Sequence, residues 1–154
     1  MYRTSKNWVQ NQKFIKMSTA GYSKTPLAKK LGIKENYLIQ VYNSPKNYTD
    51  FFHEFPDGVV ISNSQQEKET LDFIHIFASR EKELSEAFQA SKPTLKKNGS
   101  LWVSWPKKAS KLPSEIDKFD VLKYGLDHGL VDVKVAAVDD DWSGHKFMYR
   151  KKDR

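Results

Sequence analysis

Two six-residue segments near the C-terminal end concentrate side chains that bind ligands. Residues 105–110 read WPKKAS and residues 139–144 read DDDWSG. Paired lysines hold phosphate groups, tryptophan rings stack on a base or a sugar, and serine hydroxyls add hydrogen bonds. This combination predicts a site for a nucleotide, for another anionic small molecule or for a single-stranded nucleic acid.

The same residues also allow an interpretation without a ligand. Both segments follow an apolar, strand-like run, which places them at the carboxyl edge of a parallel sheet, where ligands gather. If the two segments are neighbours at this edge, Lys107 and Lys108 would neutralise the acidic run 139–141, and the tryptophans would fill the rim of the core. The turn at 43–44 reaches the same edge. The full set of candidate ligand-binding residues is Asn43, Ser44, Trp105, Lys107, Lys108, Ser110, Asp139, Asp141, Trp142 and Ser143.

The acidic segment partly matches a calcium-binding loop. Asp139, Asp141, Ser143 and Gly144 occupy positions one, three, five and six, but position twelve, which needs a bidentate glutamate, is Arg150. No metal site is therefore predicted from this motif. Magnesium held by these carboxylates together with a ligand phosphate stays open as a less demanding alternative.

No catalytic constellation can be identified from the sequence. A Gly-x-Ser-x-Gly elbow is absent, and Ser104 lies inside a strand-like run without a recognisable base. Asp139 and His145 could act as an acid and base pair, because histidine titrates near neutrality. A carboxylate and a histidine across a hairpin usually make only a surface contact. Catalytic residues stay unassigned, and no cofactor is predicted.

Size and composition exclude several classes of protein. The chain has 154 residues and no cysteine, which suits one domain and excludes a disulfide scaffold, a thiolate nucleophile and a cysteine-ligated zinc site. No apolar run approaches the roughly 18 residues that a membrane helix requires. We expect a cytoplasmic protein without a membrane partner. Its oligomeric state is not specified by the sequence.

The net charge of +7 is unevenly distributed. Residues 1–34 contain eight basic and no acidic side chains, and a second basic cluster ends the chain at 146–154. Two interpretations follow: basic ends that bind nucleic acid through its phosphates, or solvated, frayed termini. We predict a flexible basic extension over 1–20, with residues 1–16 an optional or mis-assigned start, one domain over 21–150, and a basic tail over 151–154.

Strand and helix patterns alternate along the domain. Each predicted strand shows an apolar or alternating run, and each predicted helix has a cap residue or an apolar face. Strands are expected over 37–42, 59–62, 71–77, 100–105, 131–138 and 145–150, with a turn at Asn98-Gly99. Helices are expected over 25–32, over 47–55 with Asn47 as cap, from Ser79 to near Pro93, and from Ser114 to Gly129.

Apolar faces are expected on the two longest helices. They comprise Leu84, Ala87, Phe88 and Ser91 on the first, and Ile116, Phe119, Val121, Leu122 and Leu126 on the second. A helix-turn-helix beginning at 27–33 is a rejected alternative. Its recognition helix would have to use residues 35–45, which are rich in aromatic and β-branched residues and broken by Pro45.

Two resemblances to known families follow from these patterns. From Leu71 onward the order of elements resembles the second half of class I methyltransferases. Segments 21–33, 105–110 and 138–144 resemble the bacterial family catalogued as domain of unknown function 3052, over residues 21–150. The second resemblance implies no activity and no catalytic residues, because none is established for that family.

The methyltransferase resemblance implies a cofactor site that the sequence does not reproduce. S-adenosylmethionine enzymes place a glycine-rich turn after the first strand and an acidic residue at the end of the second. Here the first turn, 43–47, has no glycine, and no carboxylate follows Ser62 before Glu67. A strand and helix unit is also missing between 62 and 71.

We therefore predict a shortened, three-layer Rossmann-like α/β fold that does not use this cofactor. It would have about six mostly parallel strands and end in an antiparallel hairpin. A divergent methyltransferase is the alternative.

Overall fold

A computed structural model describes residues 2–3 and 25–154. Within these residues seven strands form one sheet in the order β1-β3-β2-β4-β5-β7-β6. The strands are β1 (Tyr2–Arg3), β2 (Leu38–Tyr42), β3 (Val60–Ser62), β4 (Leu71–Phe77), β5 (Leu95–Pro106), β6 (Leu130–Ala137) and β7 (Trp142–Tyr149). Strands β2 to β5 run parallel, β7 is antiparallel to β5 and β6, and β1 is antiparallel to β3. The predicted mostly parallel sheet with a final antiparallel hairpin is confirmed.

Helical segments cover both faces of the sheet. The helices are α1 (Leu27–Leu31), α2 (Glu81–Ser91) and α3 (Lys118–Asp127), with 3-10 turns at Tyr48–Phe51, Lys92–Thr94 and Lys151–Asp153. One apolar cluster joins α2 and α3 to the sheet through Phe88, Val121 and Phe147. The other joins α1 and the 48–59 segment to the sheet through Phe73 and Trp102. The three-layer α/β architecture is therefore confirmed. We call the two sides the α2/α3 face and the α1 face.

The absence of one strand and helix unit is also confirmed. Strand β3 ends at Ser62 and β4 begins at Leu71, with neither a strand nor a helix over 63–70. Strand β1 pairs with the outer edge of β3 through Tyr2 and Arg3. The rest of the predicted N-terminal extension, residue 1 and residues 4–20, lies outside the described residues. Residues 35–45 contain β2, in agreement with the rejection of a recognition helix.

Asn98-Gly99 does not form the predicted turn. Strand β5 begins earlier, at Leu95, and passes through Gly99 with a shift in its pairing to β4. A Cβ at Gly99 would lie 2.7 Å from the Leu95 side chain and 2.9 Å from the Asp72 carbonyl oxygen. The glycine is needed because neighbouring atoms approach its Cα closely, which the sequence motif does not reveal.

Three predicted helix starts are wrong. The 47–55 helix is only the 3-10 turn Tyr48–Phe51, and the Asn47 side chain caps nothing, since its aromatic and β-branched residues are weak helix formers. Helix α2 begins after Ser79, whose amide and hydroxyl donate to the Glu83 carboxylate. Helix α3 begins after Asp117, which forms a capping box with Asp120; Ser114 is not its cap.

The buried faces of α2 and α3 differ in how well they were predicted. Leu84, Ala87, Phe88 and Ser91 are all buried, as expected. On α3, by contrast, Phe119 is 68% exposed and Leu126 is 37% exposed. Ile116 and Val121 are buried and Leu122 packs against the core, as expected, and Gly125 is the other buried position of α3.

Helix α3 lies so close to the sheet that only glycine fits at position 125. A Cβ there would approach three carbons of the Phe147 ring to less than 3.0 Å. We expect Gly125→Ala to destabilise the protein by about 1–3 kcal/mol from overpacking, although alanine in a helix interior normally gains about 1 kcal/mol over glycine. Urea unfolding measures this. In a Phe147→Leu background the penalty should shrink, and an equal penalty there would contradict the clash.

None of the helices among the described residues has the length and apolar character needed to cross a lipid bilayer.

Candidate functional site

The two C-terminal segments meet at the carboxyl edge of the sheet. The Lys107 amide donates to the Asp141 carbonyl at 2.8 Å, and Pro106 pairs with Trp142 across β5 and β7. The Ser110 hydroxyl donates to the Asp141 carboxylate at 2.8 Å. Residues 142–144 belong to strand β7, which begins three residues before the predicted 145–150 strand.

The acidic residues of this edge are engaged within their own turn. One carboxylate oxygen of Asp139 accepts hydrogen bonds from the amides of Asp141 and Trp142, both at 2.8 Å. Among the residues that the structure describes, no ion pair joins Lys107 or Lys108 to the acidic run. The interpretation without a ligand is supported in part: direct ion pairing to the acidic run is not observed among these residues, but Trp105 is 6% exposed within one core cluster and Trp142 packs against the other. The carboxylate of Asp139 shapes the hairpin, and that of Asp141 accepts from Ser110.

Asn43 and Ser44 lie at a different part of the edge. The Asn43 backbone has a φ of 57°, and its side-chain amide donates to the Phe77 carbonyl at 3.0 Å, which ties the ends of β2 and β4 together. The Ser44 hydroxyl donates to the Pro45 carbonyl oxygen. Ser44 lines a shallow pocket of about 500 Å³ at the ends of β2 and β3, together with Asn63. We call it the edge pocket.

A larger pocket of about 660 Å³ opens between the end of β5 and the start of α3. We call it the main pocket. Four candidates line it, Trp105, Lys107, Lys108 and Ser143, and so do further residues of segment 112–120. Ser110, Asp139, Asp141 and Trp142 are not among its lining residues. Trp142 contacts the opposite face of the sheet, where its ring meets Phe77 edge-on at 4.9 Å.

The main pocket carries three lysines and three acids, but the acids are less available. Asp117 accepts hydrogen bonds from the amides of Phe119 and Asp120, and Asp120 accepts one from the Asp117 amide. These bonds, above all the one from the Asp120 amide, lower the pKa of Asp117, and the charge of Lys108 adds to the effect. Within residues 25–154, the lysines that line the pocket, Lys107, Lys108 and Lys118, form no ion pair.

His145 is a buried polar residue next to this pocket. Its side chain is 3% exposed, and neither ring nitrogen has a hydrogen-bond partner within the described structure. The ring centroid lies 5.3 Å from that of Trp105. Ser143 is two residues away on β7 and therefore on the same face. Burial lowers the pKa of His145, so the ring is neutral and keeps one donor and one acceptor unpaired.

The sequence identified His145 only as an acid-base candidate with Asp139. The structure turns it into the α2/α3 face and away from that role. The Ser143-x-His145-x-Phe147 alternation was the available signal, because it puts all three side chains on one face once β7 is known to begin at Trp142. Among the described residues no group of three metal-binding side chains is close enough to hold an ion.

Ser104 has a histidine partner that the sequence could not reveal. His75 Nε2 lies 2.7 Å from the Ser104 hydroxyl, and His75 Nδ1 lies 3.0 Å from the Tyr48 hydroxyl. Both His75 and Ser104 are 0% exposed, so no substrate reaches the serine. Burial lowers the pKa of His75 to about 3 and raises that of Tyr48. The three side chains form a neutral hydrogen-bonded network inside the core.

The basic cluster at the C-terminal end is tied to the backbone. The Arg150 guanidinium donates to the Leu126 carbonyl, and Arg154 donates to the Tyr149 carbonyl. The 151–154 tail forms a 3-10 turn at the end of β7 opposite the main pocket. The basic cluster of the predicted N-terminal extension lies outside the described residues, except for Arg3.

Comparison with known proteins relates this chain to others by fold alone. No family model and no curated protein matches the sequence. A S-adenosylmethionine (SAM) dependent methyltransferase from Aquifex aeolicus superposes with a TM-score of 0.57 at 15% identity, covering 80% of this chain and 88% of that one. A putative type 11 methyltransferase from Sulfolobus solfataricus gives 0.53 at 16% identity, covering 75% and 85%. A fibrillarin pre-rRNA processing protein from Methanococcus jannaschii gives 0.50 at 12% identity, covering 80% and 73%.

The fold is therefore that of class I methyltransferases, and its residues can be tested against their cofactor. The turn after β2 contains Pro45, which lacks an amide donor, and the Asn43 side chain spans the gap between the ends of β2 and β4. Strand β3 ends in Ser62 and Asn63, without a carboxylate for ribose hydroxyls. The residues present do not fit S-adenosylmethionine in the arrangement that the fold family implies.

Proposed function

We propose that this protein binds an anionic, nucleotide-like ligand in the main pocket of a methyltransferase-like fold. The observation that carries the proposal is the convergence of Lys107, Lys108 and Lys118 on a pocket of about 660 Å³. They form no ion pair within the described residues, and two of the acids that share the pocket, Asp117 and Asp120, already accept hydrogen bonds at the start of α3, so the ammonium groups stay available to a phosphate.

Other lining residues suit the rest of such a ligand. The largely exposed Phe119 supplies aromatic surface for a base or sugar, Trp105, which is 6% exposed, supplies only the ring edge that lines the pocket, and Ser143 supplies a hydroxyl. His145, which is 3% exposed and does not itself line the pocket, has an unpaired donor and acceptor behind Trp105. Leaving both atoms unpaired costs stability, and a ligand group that reaches them would recover that cost.

Membership of the family catalogued as domain of unknown function 3052 is also part of the proposal. It rests on segments 21–33, 105–110 and 138–144.

Ligand binding can be measured by thermal unfolding with adenine and guanine nucleotides. A nucleotide at about 100 times its Kd is expected to add about 2.7 kcal/mol to the free energy of unfolding, a rise of several degrees in Tm. The Lys108→Ala/Lys118→Ala variant should weaken binding at least about tenfold, because each charge-assisted bond contributes roughly 1.5–3 kcal/mol.

A charge-matched variant provides the control. Lys68 and Lys82 are exposed and do not line the main pocket, so Lys68→Ala/Lys82→Ala should leave binding unchanged. The proposal is wrong if no nucleotide raises the Tm at millimolar concentration, or if both double variants bind equally well.

A divergent S-adenosylmethionine-dependent methyltransferase is the second candidate. The fold likeness and the edge pocket at the ends of β2 and β3 favour it, since the cofactor of this fold family binds near those ends. It predicts that S-adenosylmethionine raises the Tm and that Asn63→Ala, but not Lys108→Ala/Lys118→Ala, reduces the rise. Under the first proposal S-adenosylmethionine causes no shift.

A further inference from the structure

A second group of lysines meets on the α1 face of the sheet. We call it the lysine surface, and it consists of Lys30, Lys34, Lys134 and Lys146. The Lys134 ammonium donates to the Lys30 carbonyl oxygen at 3.0 Å. The Lys146 ammonium lies 3.5 Å from where a Cβ of Gly32 would stand. Helix α1 and the turn after it therefore bring their lysines against those of β6 and β7.

Two of these lysines face each other directly. Lys134 and Lys146 are register partners in the antiparallel β6 and β7 pair. Like charges directly opposite one another destabilise a sheet. No ion pair of the described residues includes any of the four, so the repulsion is not relieved by a neighbouring carboxylate.

The mutual repulsion extends across the whole group. Burial lowers the pKa of Lys30, and the charges of Lys134 and Lys107 lower it further. Burial likewise lowers the pKa of Lys146, with added effects from Lys134 and Lys34. Holding these like charges together costs stability. Binding of a polyanion would reduce the repulsion between the lysines, so the arrangement favours such a ligand.

We propose that the lysine surface binds the phosphate backbone of a nucleic acid, at a site distinct from the main pocket. Several lysines from three elements match a polymer that presents successive phosphates. The sequence that leads into α1, residues 1–24, has the same sign of charge, with five basic and no acidic side chains. No base-reading side chain is part of the group, so binding is independent of nucleotide sequence.

A membrane surface fits these observations less well. Peripheral membrane segments combine basic residues with apolar side chains that insert between lipids. Among the described residues the exposed large apolar side chains are Leu112, Phe119 and Leu126, on α3 and the segment before it, and Val133 and Val135, on either side of Lys134 in β6. Val135 pairs with His145, which faces α2 and α3, so it lies on the face opposite Lys134. The lysine surface therefore has charge without such an anchor.

Fluorescence anisotropy with a labelled duplex DNA of about 20 base pairs tests the proposal, over about 50 to 200 mM salt. For the full chain, four phosphate contacts predict a slope of log affinity against log salt of about −3.6. Lys134→Gln/Lys146→Gln should weaken binding at least about tenfold at low salt and reduce the magnitude of the slope by roughly two. Lys30→Gln/Lys34→Gln, which keeps the Lys134 side chain, should do the same.

Matched variants separate this surface from other basic regions. Lys68→Gln/Lys82→Gln should bind DNA as the unchanged chain does. Lys108→Ala/Lys118→Ala should keep DNA binding while losing nucleotide binding, so the two proposals fail independently. Thermal unfolding checks that each variant is folded.

Three outcomes would overturn the inference: absence of DNA binding at low salt, equal affinity and slope in both lysine-surface variants, or binding to phosphatidylserine vesicles without binding to DNA. The second outcome would assign binding to the basic ends instead. Equal affinity for unrelated DNA sequences is expected, and strong sequence preference would contradict a backbone-only contact.

Discussion

Lowering the pH from 7 to 5 is expected to reduce the free energy of unfolding by about 2 kcal/mol through His75 alone. Burial lowers the pKa of this histidine from 6.5 to about 3 in the folded protein. The unfolded chain therefore takes up a proton below pH 6.5, whereas the folded protein does not until about pH 3. The stability is fully present above pH 6.5 and is lost as the pH falls toward 3.

Urea unfolding across this range measures the effect, and His75→Gln provides the control. Glutamine does not titrate, and its amide keeps a donor and an acceptor for Tyr48 and Ser104. The variant should show a flatter dependence of stability on pH between 7 and 5, where carboxylates contribute little. His145, whose pKa burial also lowers, accounts for part of the remaining slope. Identical slopes in the two proteins would contradict the assignment to His75.

The elements best predicted from the sequence are those whose local pattern and tertiary environment agree. Strand β4 was predicted with its observed bounds, because the run from Leu71 to Phe77 is apolar on both sides and is covered on both faces. The buried face of α2 followed from the spacing of Leu84 and Phe88. Local rules failed at Gly99 and Gly125, where glycine is needed because Asp72 and Phe147, distant in sequence, approach it closely in the fold.

The sequence assigned the candidate site to the correct edge of the sheet. It did not show which side chains line the pocket. Strand β7 lies between β5 and β6, and its start pairs with the end of β5, so 105–110 and 139–144 are neighbours. Which face each side chain takes depends on where β7 begins. The sequence placed that start at His145, whereas the strand begins at Trp142, so Trp142 and Ser143 point to opposite faces. Because of this alternation, the Trp142 side chain lies on the face away from the main pocket, whereas the Ser143 side chain lines the pocket.

The charge pattern of the sequence indicated basic ends, and three residues of the lysine surface, Lys30, Lys34 and Lys146, belong to them. Lys134 lies outside both basic clusters and is separated along the chain from Lys146 by the acidic turn 139–141. Pairing of β6 with β7 puts them opposite each other, and α1 adds Lys30 from more than a hundred residues away. Such a cluster depends on register and on the position of α1, neither of which has a local sequence signal.

Replacing His75 with alanine is expected to cost about 3–5 kcal/mol, the largest loss among the substitutions considered. The change opens a cavity beside Phe77, whose ring stacks on His75 at 4.2 Å. It also leaves the Tyr48 and Ser104 hydroxyls buried without their partner, at about 1–3 kcal/mol for each unsatisfied group. Whole-domain stabilities are about 5–15 kcal/mol, so the variant is expected to unfold at much lower urea concentration.

A Ser104→Ala variant decides whether this network is structural or catalytic. Since Ser104 is 0% exposed, it should resist a serine-directed fluorophosphonate reagent, and its loss should lower stability by about 1–3 kcal/mol without abolishing nucleotide binding. Tyr48→Phe should lose a similar amount, and the double variant should lose less than the sum, because the two hydroxyls bond to one ring. Covalent labelling of Ser104 in the folded protein would show instead that the core opens to solvent and that the serine and histidine act as a nucleophile and its base.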